Sequence, residues 1–185
     1  MNKDKFEYFL NAVHYCLLLG DISFGAFAER IVNKILAPIP KYLFTKEYRK
    51  RYYERLHRGQ KKADVFFNNK KNGFHIGWAH HLFSDFYSCY SAFIAFIMVG
   101  IGDRQLGELN GLLFLIFFGI PIGLLYIPAY RAVFSNDRYL KYFKEFEKKN
   151  DRWHKKWKRI TVVFCFGGII SAALGFFCMA FITSI

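Results

Sequence analysis

Acidic side chains are scarce in this chain of 185 residues: 14 Asp and Glu stand against 27 Lys and Arg, for a formal net charge of +13. Signatures of catalysis are missing as well. There is no Gly-rich phosphate loop, no Gly-x-Ser-x-Gly elbow and no His-Glu-x-x-His helix, so the motifs of nucleotide binding, serine hydrolysis and zinc proteolysis are excluded. Cysteines are few. Cys16, Cys89, Cys165 and Cys178 all lie in apolar runs, and none forms a Cys-x-x-Cys pair, which excludes a zinc grip or a dithiol shuttle of that kind. They read as packing thiols. Arg51 and His57 meet a loose ribonuclease spacing, but a chain this basic meets it by chance, and no nuclease follows. Internal repeats and low-complexity segments are also lacking.

What the chain has in quantity is apolar and aromatic side chains: 54% hydrophobic, 21% aromatic and 23 phenylalanines. The mean hydropathy of only +0.10 averages strongly apolar runs with highly charged segments. Twenty-four of the 27 basic residues fall in 29–80 and 131–159. Between and after them stand Leu82 to Ile101, charged only at Asp85, and the uncharged stretches Leu109 to Tyr130 and Ile160 to Ile182. Each has the ~20 residues that cross a ~30 Å hydrocarbon core. Basic charge beside apolar spans is what the positive-inside rule produces, and it requires no nucleic acid partner. The chain therefore reads as an all-α integral membrane protein, a single polytopic domain over 1–185. It is expected to have three to four transmembrane helices plus amphipathic basic cytoplasmic helices.

The first apolar stretch, Phe9 to Ala28, is interrupted by Asn11, His14 and Asp21. A mid-span carboxylate costs about 2.5 to 3.5 kcal/mol on insertion scales. A span is favoured here, for four in all, with an interfacial amphipathic helix ending at Pro38 and Pro40 as the rival. Ala26-Phe27-Ala28 resembles a signal-peptide cleavage site, but cleavage with export would leave both basic segments outside, against the charge rule. Segments 29–80 and 131–159 are expected on the cytoplasmic side of a prokaryotic inner membrane, and Gly102 to Glu108 outside it.

Trp78, Trp153 and Trp157 precede apolar runs and read as interface anchors, with Tyr126 and Tyr130 at the exit of the third run. Tyr42 to Arg58 predicts a basic helix on or projecting from the membrane. Asn136 is expected to cap a helix from Asp137 to Lys149, with Tyr139, Leu140, Phe143 and Phe146 as its apolar stripe. That stripe needs cover, from the membrane surface, the other basic segment or a second subunit. Asn150-Asp151 is expected to turn the chain back toward the bilayer.

Small residues recur every fourth position at Gly111, Gly119 and Gly123, with Leu115 between, and again at Gly167, Ser171 and Gly175. Such flat faces let helices approach closely, within one subunit or between subunits. Pro121 is expected to kink the third run near its middle. Intramembrane ionisable groups point to function, so Asp21, Asp85, His81, Ser84 and Ser88 are the candidate pore positions. His81 and Asp85, four apart, share a helical face on which they could form a pair at the cytoplasmic mouth, beside the plainer reading of interfacial histidines. His75, His80 and His81 lack metal-chelating geometry, since neighbours on a helix point about 100° apart, and neither a metal nor a cofactor is expected.

These features predict a homo-oligomeric channel or pore whose basic face receives a signal or partner, as in a membrane-depolarising effector. The alternatives are a non-conducting subunit or adaptor, and a lipid-active enzyme using His80, His81 and Asp85. Catalysis ranks last for want of a nucleophile. The expected partners are anionic lipid headgroups, further copies of the chain and a cytosolic protein at the basic face.

Overall fold

The computed structural model describes residues 3–36 and 38–184, and all regular secondary structure among them is helical. The elements are α1 (Lys3–Leu36), α2 (Ile39–Leu43), α3 (Lys46–Phe67), α4 (Phe74–Leu106), α5 (Gly111–Val133), a 3-10 turn (Ser135–Asp137), α6 (Arg138–Phe146) and α7 (Asp151–Ser184). Four helical stretches are long and apolar enough to cross a membrane: Lys3–Leu36, Phe74–Leu106, Gly111–Phe146 and Asp151–Ser184. At 33 to 34 residues each, α1, α4 and α7 are about 50 Å long at 1.5 Å per residue, well beyond the hydrocarbon thickness.

Local chemistry sets the element ends. α1 stops before Pro38 and Pro40, as expected of residues that cannot continue a helical hydrogen-bond ladder. Between α3 and α4, the Asn69 side-chain oxygen accepts from the backbone N–H groups of Lys71 (2.9 Å) and Asn72 (3.1 Å). Gly73 closes this turn where a Cβ would collide with the Phe66 and Asn69 carbonyl oxygens. Gly107, at φ +80, ends α4 as glycine does at many helix C-termini. Asn110 caps α5 by accepting from the Leu113 N–H at 2.9 Å, and Asn150 caps α7 through the Trp153 N–H at 2.9 Å.

The basic helix begins at Lys46 rather than Tyr42 and runs on to Phe67, because Thr45 takes the extended N-cap conformation and no breaker follows until Asn68. α5 continues through Pro121 and Pro128. The expected cap at Asn136 does not form. Asn136 and Asp137 both adopt positive φ, 57° and 53°, a conformation these two residue types tolerate better than most. Two left-handed residues in succession kink the chain, and α6 starts only at Arg138.

The chain divides into two compact units, Met1–Cys16 with His81–Ile185, and Leu17–His80. In the first, α4 and α7 run parallel: Gly168 lies over the Phe86 carbonyl and Gly175 over Phe93. α5 returns antiparallel beside α4, with Ser84 meeting Tyr126 at one end and Phe96 meeting Phe118 further along.

Candidate functional site

Three polar side chains interrupt the apolar stretch of α1, and each has a different setting. Asn11 is fully buried. Its side-chain amide donates to the Glu7 carbonyl (2.8 Å) and to the Ala132 carbonyl (3.0 Å). Ala132 lies in the last turn of α5, where carbonyls lack an intrahelical donor, so Asn11 closes that helix end from another helix. His14 is fully buried and ringed by Phe83, Phe134, Tyr139 and Phe143, with ring centroids 5.3 to 5.6 Å away.

This aromatic cluster consumes the apolar stripe of α6. Tyr139, Phe143 and Phe146 are buried against Tyr8, His14 and Tyr15 of α1 and against Trp153, whose ring stacks on Phe146 at 4.8 Å. The cover thus comes from α1 and α7, and not from any of the three sources anticipated, because the left-handed turn at Asn136-Asp137 aims the stripe inward. Trp153 donates its indole N–H to the Tyr8 hydroxyl at 3.0 Å, and Trp157 packs on Tyr8 and Phe9. Arg138 donates to Glu7 at 3.0 Å. Trp78 is half-exposed, and Tyr130 is exposed.

Asp21 is paired in the Leu17–His80 unit. His75 Nδ1 lies 2.6 Å from Asp21 Oδ2, the ring N–H donating to the carboxylate, and both side chains are largely buried. Gly25, one turn beyond Asp21, leaves room for the ring, since a Cβ there would sit 3.1 Å from His75 Cε1. Phe67 packs against the imidazole at 5.7 Å. His75 precedes Leu82 by nearly two helical turns, so the partner of Asp21 stands in the polar extension of α4, outside its apolar run. Sequence spacing could not reveal this pair, whose members are 54 residues apart.

The His81–Asp85 pair that their spacing left open is not formed among the described residues. Both residues are exposed, and no hydrogen bond or ion pair joins them, so their shared helical face did not decide the contact. Ser84 bonds the Tyr126 hydroxyl at 2.6 Å, linking α4 to α5, and Ser88 is half-buried. Among the described residues, no group of three or more His, Cys, Asp or Glu side chains could hold a metal ion.

The two small-residue stripes separate sharply. On α7, a Cβ at Gly167 would lie 2.6 Å from the Tyr90 hydroxyl and one at Gly175 would lie 2.7 Å from Phe93 Cα, with the half-buried Ser171 between. That stripe is spent on α4. On α5, nothing lies within 4 Å of a Cβ at Gly111 or Gly123, and Gly119 meets only Leu115 of its own helix. No family model, no curated protein and no solved structure matches this chain, so function is argued from this geometry.

Proposed function

We propose that the chain is a subunit of a homo-oligomeric membrane assembly of channel type, in a prokaryotic inner membrane with 29–80 and 131–159 cytoplasmic. The observation that carries the assembly is the open Gly111, Gly119 and Gly123 face of α5. The corresponding stripe of α7 seats a helix at backbone distance, so the same arrangement left vacant on α5 is suited to a helix from another copy. His81, Asp85 and Ser88 stand on α4, the helix that adjoins α5, and supply polar groups for a path beside that seam. Asp21, engaged with His75, is not one of them.

In this reading three helices span. The first turns of α1 carry Lys3, Asp4, Lys5 and Glu7. Its partners Ala132, Arg138, Trp153 and Trp157 all belong to the basic segment 131–159. The N-terminus is therefore cytoplasmic, and the end of α7 lies outside.

Ion flux through proteoliposomes tests the function, with oligomer size read by native mass spectrometry. Flux that falls in Asp85→Asn, together with oligomers lost in Gly119→Leu/Gly123→Leu, supports the proposal. A well-incorporated protein without flux turns the reading to a non-conducting adaptor. That alternative draws on α3, a basic helix with no buried residue.

A further inference from the structure

α3 carries eight basic and three acidic residues over 22 positions, and none of its side chains is buried. Its residues are nevertheless sorted by face. At about 100° per residue, Tyr48, Tyr52, Leu56, Ala63 and Phe66 fall along one side, while Lys50, Arg51, Arg58, Lys61 and Lys62 occupy the other. Among the described residues only the Phe44 ring lies against this side, packing on Tyr48 at 4.8 Å and Tyr52 at 5.5 Å, and Tyr48 stays 55% exposed, Leu56 41% and Phe66 57%. A helix of this composition does not persist uncovered in water on propensity alone.

A second element of the same compact unit repeats the pattern. On α1, Phe24, Phe27, Ile31 and Ile35 recur at spacings of three and four and are all exposed, with Lys34 at the edge of that row and Arg30 beyond it. Both ends of α3 lead through short links to α1 and α4, helices long and apolar enough for a membrane. We infer that α3 is a bilayer-surface helix, its Tyr48-Leu56-Phe66 row set into the headgroup boundary and its Lys and Arg side chains engaging anionic lipid. An acidic protein surface would satisfy the charges and leave the apolar row in water. A bilayer with anionic headgroups satisfies both, with long basic side chains reaching from the flanks of the helix to the phosphates. This inference stands apart from the assembly through α5 and survives if that reading fails.

The test uses the full chain reconstituted in vesicles whose lipids carry bromine in the upper acyl chain, a short-range quencher of tryptophan. One variant adds a tryptophan on the apolar side, Leu56→Trp, and another adds one on the opposite side, Glu54→Trp. Both positions are exposed, and circular dichroism checks that each variant keeps its helix content. The expected result, above the common background of the three native tryptophans, is strong quenching of the residue introduced at 56 and little at 54 in anionic vesicles. Quenching at 56 should fall several-fold in zwitterionic vesicles, and likewise in Lys50→Gln/Arg51→Gln/Arg58→Gln. Equal quenching at both positions, no quenching at 56 in anionic vesicles, or quenching indifferent to lipid charge would each overturn the inference.

Discussion

The two compact units treat their amphipathic helices in opposite ways. In the unit that holds α5, α6 and α7, the nine-residue α6 buries Tyr139, Phe143 and Phe146 within the chain. In the Leu17–His80 unit, the much longer α3 buries nothing. A stripe at helical spacing thus has no fixed meaning: what decides is whether another helix is delivered to it. The left-handed kink at Asn136-Asp137 delivers α6 to α1, whereas among the described residues the apolar row of α3 meets only the Phe44 ring beside its start.

The contrast can be broken by truncation, and the largest effect is expected in the aromatic cluster. Phe143→Ala should destabilise the purified protein by about 3 to 5 kcal/mol, the usual cost of deleting a fully buried aromatic ring, read as a lowered thermal midpoint in mild detergent. Leu56→Ala on α3 should move the same midpoint by less than about 0.5 kcal/mol, as surface changes do. Comparable losses at both sites would erase the distinction.

Glycine substitutions sharpen it within the helices. Gly175→Leu forces a side chain against the Phe93 backbone and should cost about 1 to 3 kcal/mol, as overpacking generally does. Gly123→Leu should leave the monomer's thermal midpoint unchanged and reduce only the oligomer population. In the other unit, Asp21→Asn removes the charge facing His75. It should loosen α1 against α4 by about 1.5 to 3 kcal/mol, the range for a charge-assisted hydrogen bond, seen as faster proteolysis confined to 17–80.

The smallest effect is expected at Lys149. Its ammonium lies 2.8 Å from Glu145, and that hydrogen bond holds its pKa above the ordinary 10.5. Any stabilisation from the pair is fully present below pH 10.5 and is lost as pH rises through the raised value. The site is open to solvent, so Lys149→Met should leave the thermal midpoint at neutral pH unchanged.

Features set by local composition were legible in the sequence. The apolar runs from Leu82 and Ile160 lie in α4 and α7, and that from Leu109 lies in α5 from Gly111 on, because an apolar run of that length has few other uses. The turn at Asn150-Asp151 was legible for the same reason, an Asn side chain able to cap the next helix. Features requiring a distant partner were not. Asp21–His75 and Asn11–Ala132 join residues 54 and 121 positions apart, whereas His81–Asp85, suggested by local spacing, does not form. The stripes of α5 and α7 look alike as sequence, and only packing reveals that one is filled and the other open. Asn136 resembled a cap because its residue type suits two jobs, capping and left-handed turning, and the second prevailed.

Hydrogen exchange of the full chain in nanodiscs, followed helix by helix, tests the central contrast most directly. The account predicts that α6 exchanges slowly in zwitterionic and anionic discs alike, because its cover is internal. α3 should exchange fast in zwitterionic discs and markedly slower in anionic ones. Equal protection of α3 in both, at the level of α6, would mean that it has a cover other than anionic lipid and would contradict the account.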